Sequence, residues 1–131
     1  MSPQHHSEPE SCAKAVIDRV GPELIVAVPI GIGKPNLLLN ALYRLVENDR
    51  RLKMTIFTGL TLVRPMYRSS IERRFVEPLL DRLFGSYPNL HYVEALRKGG
   101  LPSNIQIHEI FFQAGAWMSL LPAQQSYFSM N

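Results

Sequence analysis

The sequence predicts an α/β fold, an open and mainly parallel sheet with crossover helices. Three observations carry this. Apolar, β-branched runs alternate with segments of helical period in the order α-β-α-β-α-β-loop-α, which implies parallel strands joined by helical crossovers. The run over 24–30 (Leu-Ile-Val-Ala-Val-Pro-Ile) is nearly all apolar, as expected of a strand covered on both faces. It breaks straight into Gly31-Ile32-Gly33-Lys34-Pro35-Asn36, a glycine turn followed by a helix start. Ligands of open α/β folds bind at turns of this kind.

Residues 1–10 are polar and read as a disordered tail, leaving 11–131 as one α/β domain. Ser11 can cap a first helix through Val20, with Ala13, Val16, Ile17 and Val20 at helical spacing and Gly21-Pro22 as the stop. After the strand over 24–30, a helix from Pro35 to about Asn48 carries Leu38, Ala41, Leu42 and Leu45 on one face. Residues 52–58 form the second strand, stopped by Gly59. Ser69-x-x-Glu72 is a capping box for the next helix, whose apolar seam is Leu79, Leu80 and Leu83. Pro78 within that pattern implies a kink or two short helices. Residues 89–96 (Asn-Leu-His-Tyr-Val-Glu-Ala-Leu) read as a third strand, and 97–104 as a loop. A short extended piece at 105–108 precedes a helix over 109–120. Ile110, Phe111, Phe112, Ala114, Ala116, Trp117, Met118, Leu120 and Leu121 surround that last helix with apolar surface. A helix apolar all round expects neighbours all round. The expected cover is a missing C-terminal domain or a second copy of the chain. The domain reads as truncated, since Tyr127-Phe128-Ser129-Met130-Asn131 carries no capping signal.

The glycine turn is defined as much by what it lacks. A phosphate-cradling P-loop needs Ser or Thr after its Lys, and Pro35 stands there. The dinucleotide fingerprint needs a third small residue where Asn36 falls. A small nucleotide-dependent enzyme with Lys34 on a phosphate is therefore disfavoured. Gly31 and Gly33 permit positive φ and close approach of another group. Pro35 fits the first helical position, and the free amides there favour an anion such as a carboxylate or a thioester oxygen. A plain βα turn accounts for the same residues without any ligand.

Composition narrows the remaining classes. Hydrophobic residues make up 46% of the chain and charged ones 19%, so a real core is affordable in one domain of 131 residues. The net charge of +3 is too scattered to form a nucleic-acid stripe. Arg64, Arg68, Arg73 and Arg74 do cluster, either as an anion patch or as a solvated helix face paired with Glu72 and Glu77, and the second reading is preferred. No stretch has the length of a membrane span, and residues 1–10 lack the basic start and apolar core of a signal peptide. The single Cys12 excludes an internal disulfide and agrees with a reducing cytoplasm. His5 and His6 are not accompanied by ligands at metal-site spacing.

The motifs taken together resemble the acetyl-CoA hydrolase/transferase family of class I CoA-transferases, over roughly residues 11–131. The resemblance rests on Gly31-Ile32-Gly33-Lys34-Pro35, the helix through Leu38-Leu39-Asn40-Ala41-Leu42, and the strand ending Thr58-Gly59. Arg74-Phe75-x-x-Pro78-Leu79, Leu90-His91-Tyr92-Val93 and Ile107-His108-Glu109-Ile110-Phe111-Phe112-Gln113-Ala114-Gly115 add to it. The resemblance implies the N-terminal half of a two-domain enzyme, 4-hydroxybutyrate CoA-transferase-like. In such enzymes a glutamate of the second half attacks an acyl-CoA thioester, and a carboxylate or water resolves the anhydride. It implies coenzyme A thioesters and small carboxylates as substrates, no covalently bound cofactor, and Gly31, Ile32, Gly33, Lys34, Pro35 and Asn36 as substrate-binding residues. No catalytic residue is assigned within the chain. Glu94 reads as a solvated strand-end acid near Arg97 and Lys98, and Glu109 as a first-turn helix acid. His91 and His108 read as packed or half-exposed in extended segments. The competing reading is a non-catalytic α/β module that binds a small anion or a partner.

Overall fold

The computed structural model describes residues 3–110 and 127–129 of the chain. Helix α1 (Pro9–Val20) leads into strand β1 (Glu23–Val28), and a short 3₁₀ turn at Gly31–Gly33 precedes helix α2 (Asn36–Asn48). Strand β2 (Lys53–Thr58), helices α3 (Ser70–Phe84) and α4 (His91–Lys98), and strands β3 (Ile105–Glu109) and β4 (Tyr127–Ser129) follow. The four strands form one sheet in the order β1-β2-β3-β4, and each neighbouring pair is parallel. The open, parallel α/β architecture is thus the one expected.

Register explains the core. Leu24, Met54 and Ile105 lie side by side across the sheet, and Val26, Ile56 and Ile107 form the next row. These rows share one apolar cluster with Leu39, Leu42, Tyr43 and Val46 of α2, Tyr92, Val93 and Leu96 of α4, and Ala13 of α1. Side chains alternate along a strand, so the next row on this same face is Val28, Thr58 and Glu109. The core therefore turns polar at the C-terminal ends of β2 and β3. The opposite face differs from expectation at β1, where Ile25 is 77% exposed. The apolar run over 24–30 is covered on one face among the described residues.

Several boundaries differ for local reasons. α1 begins at Pro9 instead of Ser11, because a proline fits the first turn, where its missing N–H is no loss. Pro9 and Glu10 thus leave the tail, and Glu10 pairs with Arg44 of α2. Residues 91–98 are helical where a strand was expected. Tyr92, Val93 and Leu96 are all buried, a helical spacing that the Leu90–Tyr92 alternation had masked. Asn40 of α2 caps that helix from outside: its Oδ1 accepts from the His91 N–H at 2.9 Å and its Nδ2 donates to the Asn89 carbonyl at 2.7 Å. Gly99, at φ 148°, ends it.

The third strand is consequently Ile105–Glu109, and Glu109 is its last residue, not a helix start. The remainder of the expected helix over 109–120, and so most of the apolar face from Ile110 to Leu121, lies outside the described residues. α3 runs unbroken through Pro78 as one helix of 15 residues. It buries Leu80 alone, while Leu79 and Leu83 are exposed, so the expected three-residue seam reduces to one anchor. Arg73 pairs with Glu77 and Arg64 with Asp81, as suits a solvated helix face. Glu72 instead accepts from the Arg68 N–H.

Candidate functional site

The polar row that closes the core is built by three converging segments. β2 and β3 bring Thr58 and Glu109 side by side at the C-terminal edge of the sheet. The turn after β1 supplies Lys34. Gly31 adopts φ 75°, a left-handed conformation that suits glycine, and the Lys34 N–H bonds back to its carbonyl. Lys34 thereby folds over the sheet edge with only 5% of its surface exposed. Its Nζ donates to Thr58 Oγ1 at 2.6 Å and to the Leu60 carbonyl at 2.9 Å, leaving one N–H without a protein acceptor among the described residues.

Glu109 is 1% exposed. One of its carboxyl oxygens accepts from the Thr61 N–H, and the other, Oε2, is buried with no hydrogen-bond partner among the described residues. The Thr61 and Tyr92 hydroxyls meet at 2.8 Å, which ties α4 into the cluster. Burial dominates the electrostatics. Desolvation lowers the Lys34 ammonium to about 8, against the pull of the Glu109 carboxylate. It raises Glu109 to about 7, opposed by hydrogen bonds from Thr61 and by the charge of Lys34. The Tyr92 hydroxyl is pushed up by the same burial.

The six residues singled out in the sequence do share one place, but their roles differ. Gly31, Ile32 and Gly33 form the 3₁₀ turn. Gly31 alone of the two glycines has positive φ, and a Cβ at Gly33 would meet nothing within 4 Å. Gly33 is therefore not constrained by close approach. Pro35 is the cap of α2, not its first residue, because its carbonyl already accepts from the Leu39 N–H at 2.9 Å. The first helical amide is also taken, since the Asn36 N–H donates to the Lys34 carbonyl at 2.8 Å. Asn36 is 3% exposed; its Nδ2 donates to the Pro88 carbonyl at 2.7 Å, while its Oδ1 has no partner. Lys34, Pro35 and Asn36 line a groove of about 760 Å³ between the start of α2 and the end of α3.

Sequence reasoning missed Glu109, Thr58, Thr61 and Tyr92. For Glu109 the signal was present. Ile105, Ile107 and Glu109 alternate along one strand, which places a carboxylate at a core position. Glu94 lies in the first turn of α4, where an acid suits the helix dipole, and not at a strand end. His91 opens α4 with its ring edge-on to Tyr43, and His108 stacks on Phe57 at 4.8 Å, so both are packing residues. Among the described residues no cluster of His, Cys, Asp and Glu could hold a metal ion, and no helix is long and apolar enough to cross a membrane. No family model, curated protein or solved structure matches the chain.

Proposed function

We propose that this chain is the substrate-binding α/β half of a CoA-transferase or acyl-CoA hydrolase. In this reading the turn over 31–36 holds the acyl or carboxylate end of the substrate. The observation that carries it is the Lys34 ammonium, held at the C-terminal edge of a parallel sheet directly after a glycine turn, with one donor uncommitted. A desolvated, fixed cation is worth most against charge that develops during reaction, such as the oxyanion of a thioester under attack. The family resemblance of the turn and of the segments around it supports the same chemistry. The nucleophilic glutamate is supplied by a second domain. Glu109 is not that nucleophile, because its carboxyl is buried and anchored to Thr61. The single Cys12 is in keeping with a cytoplasmic setting.

The test is a side-by-side thioesterase and transferase assay on the chain and on the longest reading frame that contains it. Turnover is expected in the longer frame only. Lys34→Met there should lower kcat/KM by about 10²-fold while the circular dichroism spectrum stays that of the wild type. Undiminished turnover in Lys34→Met, or none in the longer frame, overturns the proposal. Anion binding without any turnover would favour the non-catalytic binding module instead.

A further inference from the structure

Helix α3 meets the body of the fold with one buried side chain, Leu80. On its outer side Ile71, Phe75, Leu79 and Leu83 follow one another at four-residue spacing and are 69%, 82%, 57% and 61% exposed. Residues four apart on a helix are neighbours, so these four form one apolar ridge, about 18 Å long and drifting through about 120° of the helix surface. A continuous apolar ridge on an otherwise charged helix marks an interaction surface.

The charges at the two ends of the ridge identify what it meets. Glu72 stands beside Ile71 at the start and Arg82 beside Leu83 at the end, both exposed and in no ion pair among the described residues. At about 100° per residue, both fall within the angular width of the ridge, whereas Arg74 lies about 120° round the helix from its midline. The other charges of α3 are already committed, Arg73 to Glu77 and Asp81 to Arg64. The pattern is self-complementary in one orientation. A second α3 laid antiparallel about a two-fold axis at the level of Glu77 brings Ile71 level with Leu83, Phe75 level with Leu79, and Glu72 level with Arg82 of the second copy. A parallel pair would set each charge against its like. An anionic lipid surface or an acidic helix would meet Glu72 within the same ridge, a like charge with no answer. We propose that the outer face of α3 is an isologous dimer interface, occupied by the same face of a second copy of this chain. Phe75 and Leu79 form its apolar centre, and the two Glu72–Arg82 pairs fix its direction.

Analytical ultracentrifugation of the 131-residue chain over a concentration series tests this, with hydrogen exchange as a second readout. The wild type should pass from monomer to dimer and no further. Phe75→Asp should abolish the dimer while the circular dichroism spectrum stays that of the wild type, since the ring is exposed in the free chain. Arg82→Glu should weaken association about tenfold, and adding Glu72→Arg to it should restore most of the loss, because the swapped charges again face opposite signs. Amides of α3, fast in the dilute chain, should slow as concentration rises through the same range, while those of α2 do not change. A chain that stays monomeric to about 1 mM overturns the proposal. Sedimentation of that monomer with phosphatidylserine vesicles would then assign the ridge to a lipid surface. Protection of α3 in a longer monomeric reading frame would assign it to another segment instead. A dimer indifferent to Phe75→Asp, or one that the double charge swap fails to restore, overturns the proposal as well.

Discussion

Glu109 sits where two demands conflict. The strand register puts it on the core face, and Thr61 needs its carboxyl as an acceptor. Its proton affinity in the folded chain rises to about 7, from an ordinary value of 4.5. The sign of the linkage follows. Between pH 4.5 and 7 the unfolded chain loses this proton while the folded chain keeps it, so stability falls as pH rises through that window. The full contribution is present below pH 4.5 and has been lost above about 7. The size is about 3 kcal/mol by the usual conversion. Lys34 behaves in the opposite sense: lowered to about 8, it contributes full stability only above pH 10.5, and that contribution fades as pH falls through about 8. Glu109→Gln, which keeps the acceptor for Thr61, should flatten the decline between pH 4.5 and 7 in urea unfolding. An unchanged slope in the variant would mean that Glu109 titrates normally.

At the level of elements, the caps decide more than propensity does. α4 is only 8 residues long, too short to hold its shape alone, and it is made stable by Asn40 reaching across from α2. That cap comes from a residue about 50 positions away, so the local pattern at 89–96 could not announce it. α3 is the contrasting case. Its N-cap is local and was legible: the Ser69 hydroxyl accepts from the Glu72 N–H at 3.1 Å. The return arm of the box is displaced by one residue, since Glu72 accepts from the Arg68 N–H. Because α3 buries a single side chain, it depends on this cap more than α2 would. Ser69→Ala should cost about 1 kcal/mol, read as a lower midpoint in chemical denaturation with an unchanged slope. Stability equal to wild type would place the hold on α3 elsewhere.

At the scale of the whole molecule, burial among the described residues is concentrated where α1, α2 and α4 pack against the sheet. α2 contributes seven buried residues between α1, the sheet and α4, whereas α3 contributes Leu80. Hydrogen exchange should follow that division. Amides of β2 and α2 should be the slowest, and those of α3 should exchange at least about a hundredfold faster. Protection of α3 equal to that of α2 would show that it packs more tightly than Leu80 alone provides. The same layout explains the position of the candidate site. Parallel strands end together, so the polar row of Thr58 and Glu109 and the turn that carries Lys34 meet at one edge.

By itself the sequence determined the α/β class, the parallel order of β1 and β2, the glycine turn and the cap of α3. All of these rest on short-range signals: apolar runs, helical period and turn residues within a few positions of one another. Only the tertiary structure decided that 91–98 is a helix, that Thr61 reaches the Glu109 carboxyl, and that Lys34 is spent largely on Thr58 and Leu60. Those outcomes depend on partners 24 to 51 positions apart. A buried polar group is defined by who reaches it across the fold, and local spacing carries no record of that.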